Sequence, residues 1–253
     1  MPTVENSQIT TPASSTNTRT LASYAVGNNA NRLLLAGLVS FSSSEPHEPH
    51  ASVVFNTSEN FTKVAEQLQG NDDYKVSLWK LLAPSVATED IVASTTGNVG
   101  VIALCVVSIH GVDQTTPLGT AAKNTALTGD HATVDVASAA GELVIDFSLS
   151  EYGVNTHGAG QDENSIENTG WGFTSSRKAG AATVTMNENL AESGASWVIM
   201  GISVKPVSSP PAPVYGSAGD FDPELIASAW FRTLYGIKEL NPFKNRRLRP
   251  CYS

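Results

Sequence analysis

Two stretches of this chain are apolar almost without a break: "RLLLAGLVSF" at 32–41 and "VIALCVVSI" at 101–109. A strand turns successive side chains to opposite faces. Runs of this kind therefore need cover on both sides, as central strands of a layered protein. Similar β-branched and apolar segments, bounded by Gly, Asn, Asp, Ser and Pro, fall at about 20–26, 32–42, 51–56, 61–67, 74–82, 98–110, 131–137, 141–149, 170–177, 180–186 and 195–205. No stretch before 220 has a helical period. The pattern predicts an all-β fold, a sandwich or a barrel. Uneven strand lengths and long loops at 42–50, 111–130 and 150–169 favour a two-sheet β-sandwich with jelly-roll or Greek-key connections. In "AGELVIDFSLS", Leu143, Ile145, Phe147 and Leu149 alternate with Glu142, Val144, Asp146 and Ser148. That predicts one face in the core and a more polar face outward, with Glu142 and Asp146 solubilising.

The organisation reads as four regions. Residues 1–19 are a polar N-terminal arm, 20–206 the β-sandwich, 207–219 a Pro-rich, semi-rigid linker, and 220–253 a separate tail. In the tail Asp222 is placed as a helix N-cap, followed by Pro223 and Glu224. Ile226, Trp230, Leu234 and Ile237 then share one helical face, and Asn241–Pro242 ends the helix. That stripe needs a partner surface, either its own sandwich or a neighbouring copy.

Only 15 % of residues are charged, against about 25 % in an ordinary globular protein. The net charge of −9 is uneven: the tail from 206 has six Lys/Arg against four Asp/Glu, or +2, and the first 205 residues have nine against twenty, or −11. So acidic a body is a poor wrap for a phosphate backbone, leaving the basic "KNRRLRP" end as the one place nucleic acid would bind. No window approaches 18 apolar residues, and the start lacks the pattern of a signal peptide. Cys105 lies inside an apolar run and Cys251 near the end, so no disulfide between them is expected.

Catalytic signatures are missing: there is no G-x-S-x-G, no P-loop and no dinucleotide fingerprint. The reading assigns no catalytic residue, cofactor or metal. His47 and His50, beside Glu45 and Glu48, have a spacing that can share a metal, but Pro46 and Pro49 impose an extended loop, read as solvated. Asp72 and Asp73, or Asp162 and Glu163, offer oxygens to calcium without the fixed ligand spacing, and turn chemistry explains them. Asn56 and Asn60 fit the glycosylation pattern. Trp79, Trp171 and Trp197 form either a sugar-stacking platform or core packing, and core packing is the simpler reading. A hydrolase with a scattered site would need His47, His50, His110, His131 or His157 to meet carboxylates.

"GVDQTTPLGTA" (111–121) and "VSLWKLLAP" (76–84), with "NRLLLAGLVSF", "FTKVAEQ", "GELVIDFSLS" and "SWVIMGISVKP", give the chain over 20–206 a series that resembles a jelly-roll-like β-sandwich domain of phage structural proteins and of bacterial surface or secreted proteins. The resemblance implies a fold and an exposed, multi-copy setting, and no catalytic residues. The functional expectation is a non-enzymatic structural subunit that self-assembles into an extracellular filament or virion component. Val4 and Ile9 of the arm and Ile226, Trp230, Leu234 and Ile237 of the tail are the expected contacts with neighbouring copies. The alternative is a glycan-binding or surface-adhesion module.

Overall fold

The computed structural model describes residues 1–43, 46–70 and 73–208. The chain divides into a unit Met1–Ser208 and a unit Ser209–Ser253. The expected tail helix with Ile226, Trp230, Leu234 and Ile237, most of the Pro-rich linker, and Cys251 lie outside the described residues.

The described residues form strands and turns, with no helix among them. In chain order the first eight strands are β1 (Thr3–Ile9), β2 (Ala13–Ala25), β3 (Leu33–Phe41), β4 (His50–Phe55), β5 (Glu59–Asn60), β6 (Thr62–Leu68), β7 (Tyr74–Leu82) and β8 (Thr88–His110). The second eight are β9 (Ala122–Ala126), β10 (His131–Ala137), β11 (Leu143–Ser150), β12 (Val154–His157), β13 (Asp162–Glu167), β14 (Gly172–Ala179), β15 (Thr183–Leu190) and β16 (Trp197–Val204).

The 23-residue β8 is the axis of the first sheet. One edge holds β1, with Ile9 opposite Cys105, and then β2, from Ala13 opposite Ile102 to Ala25 opposite Thr88. The other edge holds β3, from Leu33 opposite Ile109 to Phe41 opposite Val101, and then β4, with Phe55 opposite Ile91. β7 and β6 extend the sheet beyond β3, and β5 extends it beyond β4. The second sheet runs β13-β14-β11-β16-β9 and the third β10-β15-β12, and every pairing is antiparallel.

Three apolar layers stack these sheets. Leu34, Ala36 and Leu38 of β3 meet Leu21, Tyr24, Val53, Phe55, Ile91 and Ala93, so the β2–β4 end of the first sheet curls over its own β3–β7 part. Leu33, Leu35 and Val39, on the opposite face of β3, pack on Ile145, Phe147, Met200 and Ile202 of the second sheet. The far face of the second sheet, with Val144, Trp197 and Ile199, packs on Val134, Val136 and Met186 of the third. β3 is thus covered on both faces, as its sequence requires, and each leucine withdrawn from water contributes about 1.5–3 kcal/mol. The all-β, sandwich-like packing stands, with three sheets in four layers in place of two.

Residues 1–19, expected as an arm, are strand β1 and the first part of β2. Thr10 N donates to Leu104 O at 2.9 Å and Thr10 Oγ1 accepts from Leu104 N at 3.0 Å, so pairing with β8 continues through the Thr10–Pro12 break. Val4 and Ile9, expected between copies, pack on the core of their own chain. The loops expected at 111–130 and 150–169 contain β9, β12 and β13.

Gly37 of β3 fixes the spacing of the first two sheets, because a Cβ there would fall on the Phe147 ring. Gly37→Val should cost about 1–3 kcal/mol by overpacking. Phe147→Leu in the same chain should recover part of it, with a coupling above about 0.5 kcal/mol in urea unfolding. Strictly additive costs would show that the two positions do not touch.

Candidate functional site

The segment "EPHEP" was expected as a solvated loop, and the structure overturns this. His47 and His50 are buried at 5 % and 2 % exposure. Pro46 and Pro49 do keep the segment extended, and this delivers both rings beneath the curl of the first sheet, beside Ser40 of β3 and Ser77 of β7. The hydrogen bonds there have one consistent direction. Trp79 Nε1, which can only donate, gives its proton to Ser77 Oγ at 2.7 Å. Ser77 Oγ then donates to His50 Nδ1 at 2.5 Å, His50 Nε2 to Ser40 Oγ at 2.6 Å, and Ser40 Oγ to His47 Nε2 at 3.4 Å. His47 Nδ1 donates to the Glu48 carbonyl at 3.1 Å, where the chain ends on a group that can only accept. Donation in this direction satisfies every group and leaves both imidazoles neutral, with opposite tautomers. Burial, first, and the neighbouring Lys75 ammonium hold both rings below the usual histidine range, His50 well below it. Lys75 donates to Glu48 O at 3.1 Å, and Lys63 to His50 O at 2.8 Å.

A second polar network lies between the second and third sheets. Alternation along β11 places Asp146 and Ser148 with Val144 on the face toward the third sheet. Asp146, expected to point outward, has no exposed surface, because β15 covers it; Glu142 is half-buried and accepts from Ala139 N at 3.1 Å. Asp146 Oδ1 accepts from Ser176 N at 2.7 Å and Ser176 Oγ at 3.0 Å. Along β15 Glu188 falls in phase with Val184, Met186 and Leu190 and is likewise wholly buried. His157 Nδ1 meets Glu188 Oε2 at 2.5 Å, and Gln161 Nε2 donates to Ser176 Oγ at 2.7 Å. On its other side His157 Nε2 stands 3.6 Å from the exposed carboxylate of Glu163.

Burial, and then the Glu188 carboxylate beside it, push Asp146 well above the usual carboxylate range. Burial raises Glu188 to about 7, against the neighbouring polar side chains of Asp146, Ser176, Thr174 and Gln161, which lower it. Two carboxylates so placed hold one proton between them. Asp146 Oδ2, which is buried without a hydrogen-bond partner, is the oxygen left to carry it. Ser148 Oγ, Thr174 Oγ1 and His157 Nε2 are buried in the same region without one. The arrangement can hold and transfer a proton; with both acids sealed from solvent, it presents neither to a substrate.

The other candidate residues are scattered. Of the five histidines only His157 meets two acids; His131 lies 3.6 Å from Asp130 at the surface, and His110 ends β8. Trp79 and Trp197 are buried in two different apolar layers, and Trp171 stacks on Phe41 at 4.6 Å against a third, so core packing holds and no common platform forms. Asp72 lies outside the described residues, Asp162 is 3.7 Å from Arg177, and among the described residues no three His, Cys, Asp or Glu side chains converge as metal ligands. Asn60 is exposed on β5, and Asn56 opens the β4–β5 turn with φ +49°. In "GVDQTTPLGTA" Asp113 Oδ1 accepts from Thr115 N at 2.7 Å and Thr116 N at 2.9 Å, a structural turn. Cys105 is buried and free, its thiol pushed up to about 12 by burial. Sequence reasoning passed over Ser40, Ser77, Ser176 and Glu188; the one signal for Glu188 was an acid in the apolar phase of "TVTMNENL". The chain matches no protein-family model, no curated protein and no solved structure.

A histidine held neutral by burial lends stability above its unfolded value near 6.5 that is lost as pH falls below it. His50→Gln keeps a donor for Ser40 and an acceptor for Ser77. The stability difference between wild type and this variant should shift in the variant's favour by up to about 1.4 kcal/mol per pH unit below pH 6.5. A difference constant from pH 7.5 to 5 in urea titrations would exclude a buried neutral His50.

Proposed function

We propose that the chain is a non-enzymatic structural subunit of a multi-copy assembly, an extracellular filament or a virion component such as a capsid, tail or fibre, and that it contacts other copies of itself through its termini. The observation that carries this reading is β1. It is a strand of seven residues, bonded by its backbone along one edge of β8 and joined to β2 by only Thr10, Thr11 and Pro12. A strand that completes its own sheet edge fits the same edge of a second copy equally well, and exchange of such elements is a low-cost route to assembly. The resemblance to jelly-roll-like domains of phage and bacterial surface proteins adds the setting. The low proportion of charged residues, with Ser and Thr on exposed strand faces, suits repeated sheet contacts outside a cell.

The test is negative-stain electron microscopy of the full-length protein with sedimentation on the same sample. Regular filaments, rings or shells are expected, and removal of residues 1–11 should abolish them while β2 and the rest of the fold remain. A monomer at high protein concentration, with or without those residues, would overturn the reading.

A further inference from the structure

We propose that Asp146, Glu188 and His157 form a proton-operated latch that ties the β12–β15 edge of the third sheet to β11 and β14 of the second. The inference is independent of the assembly reading. Elsewhere this interface is held by apolar side chains: Val134, Val136 and Met186 on one side, Val144, Trp197 and Ile199 on the other. At the β12–β15 edge Val154 and Leu190 are joined by a polar network that runs from Glu188 through Gln161 and Ser176 to Asp146. From the β12–β13 turn Gln161 Nε2 reaches Glu188 Oε1 at 3.4 Å and Ser176 Oγ of β14 at 2.7 Å, and Ser176 Oγ donates to Asp146 Oδ1 of β11 at 3.0 Å. His157 anchors Glu188 within the third sheet itself.

The charges facing this site are few. β11 supplies Asp146, β12 His157, β13 Glu163 and β15 Glu188. β14 faces it with hydroxyls, while its Lys178 binds Ala159 O and its Arg177 binds Asn164 on the outside. β16 sets Gly201 opposite Asp146, and β10 faces it with Ala132, Val134 and Val136. Beyond the second sheet Asp146 acts on the Cys105 thiol, which burial keeps neutral. Among the described residues, no lysine or arginine side chain faces the two carboxylates. Loss of the shared proton therefore sets two carboxylates against each other without water, and the relief is to part the sheets at this edge. His157 lies between the sealed acid Glu188 and the exposed acid Glu163, and so is the route by which the proton reaches solvent.

Carboxyls raised above their unfolded range hold the latch shut at low pH. The hold weakens from about pH 5 upward, through the Glu188 value of about 7. Amide hydrogen exchange on the full chain, corrected for intrinsic rates, reads this directly. Protection in β12 and β15 should fall by up to about tenfold per pH unit between pH 5 and 7, while β3 and β7 stay level. Asp146→Asn supplies a permanent donor to Glu188 and should keep the pH 5 protection throughout. If that variant does not fold, Glu188→Gln removes the shared proton from the other side and should be equally flat. Overturning results are β12 and β15 tracking β3 and β7 in the wild type, or a variant that keeps the pH dependence.

Discussion

Everything in this fold depends on strands that are apolar on both faces. β3 and the C-terminal half of β8 cannot border water on either side. One face is closed by the second sheet. The other has no separate partner, and the chain closes it by extending β8 to 23 residues and curling its first half back, with β2 and β4, over β3 and β7. The curl needs a narrow passage where β4 gives way to β3 along β8. Gly97 and Gly100 lie there, and a side chain on Gly97 would meet the Glu48 carboxylate. The second sheet meets the same demand: β11 and β16 are buried along their whole length, so a third sheet must cover them.

Layering of this kind seals polar groups that the alternation of a strand would otherwise turn to solvent. Ser40 and Ser77 lie on faces closed by the curl, and Asp146 lies on the face closed by the third sheet. Each must find its partners inside the protein. The first group does so through neutral imidazoles, the second through a shared proton. The two solutions respond to pH in opposite directions. Buried neutral histidines favour the folded chain above about 6.5, and raised carboxyls favour it below about 7. Between about pH 5 and 6.5 the histidine contribution rises with pH while that of the carboxyls falls.

The strands that the sequence displays are those buried on a whole face. β3, β7, β11 and β16 carry continuous or alternating apolar runs, and their expected bounds lie within a few residues of the observed ones. The strands that escape notice, "AKNTA" of β9, "VNTH" of β12 and "DENSIE" of β13, are short edge strands. Their reason for being extended is a neighbour's backbone, which local periodicity does not record. β1 escapes for the same cause: "TVENSQI" has the composition of a solvated arm, and only β8 makes it a strand. Asp146 illustrates a second limit. The alternation placed it correctly on the face opposite Phe147, yet whether that face is wet depends on β15, 42 residues further along the chain. The prolines beside His47 and His50 correctly gave an extended backbone, while the burial of the rings depends on the curl of β8.

The same dependence explains why function is less legible here than fold. A site built on a fixed local motif announces itself by spacing. Neither polar network in this chain has one, since Asp146, His157, Ser176 and Glu188 come from four strands of the second and third sheets, and Ser40, His50 and Ser77 from three strands of the first. What brings them together is the requirement that apolar strands be covered twice. That requirement also places β1, because the outer edge of β8 beside Cys105 and Val107 would be an open edge of the first sheet without it. Strand β1, the curl and the third sheet are three answers to one constraint, and each puts either a polar network or an exchangeable strand at a junction between layers. Those junctions, more than any single residue motif, carry the proposed proton latch and the proposed strand exchange.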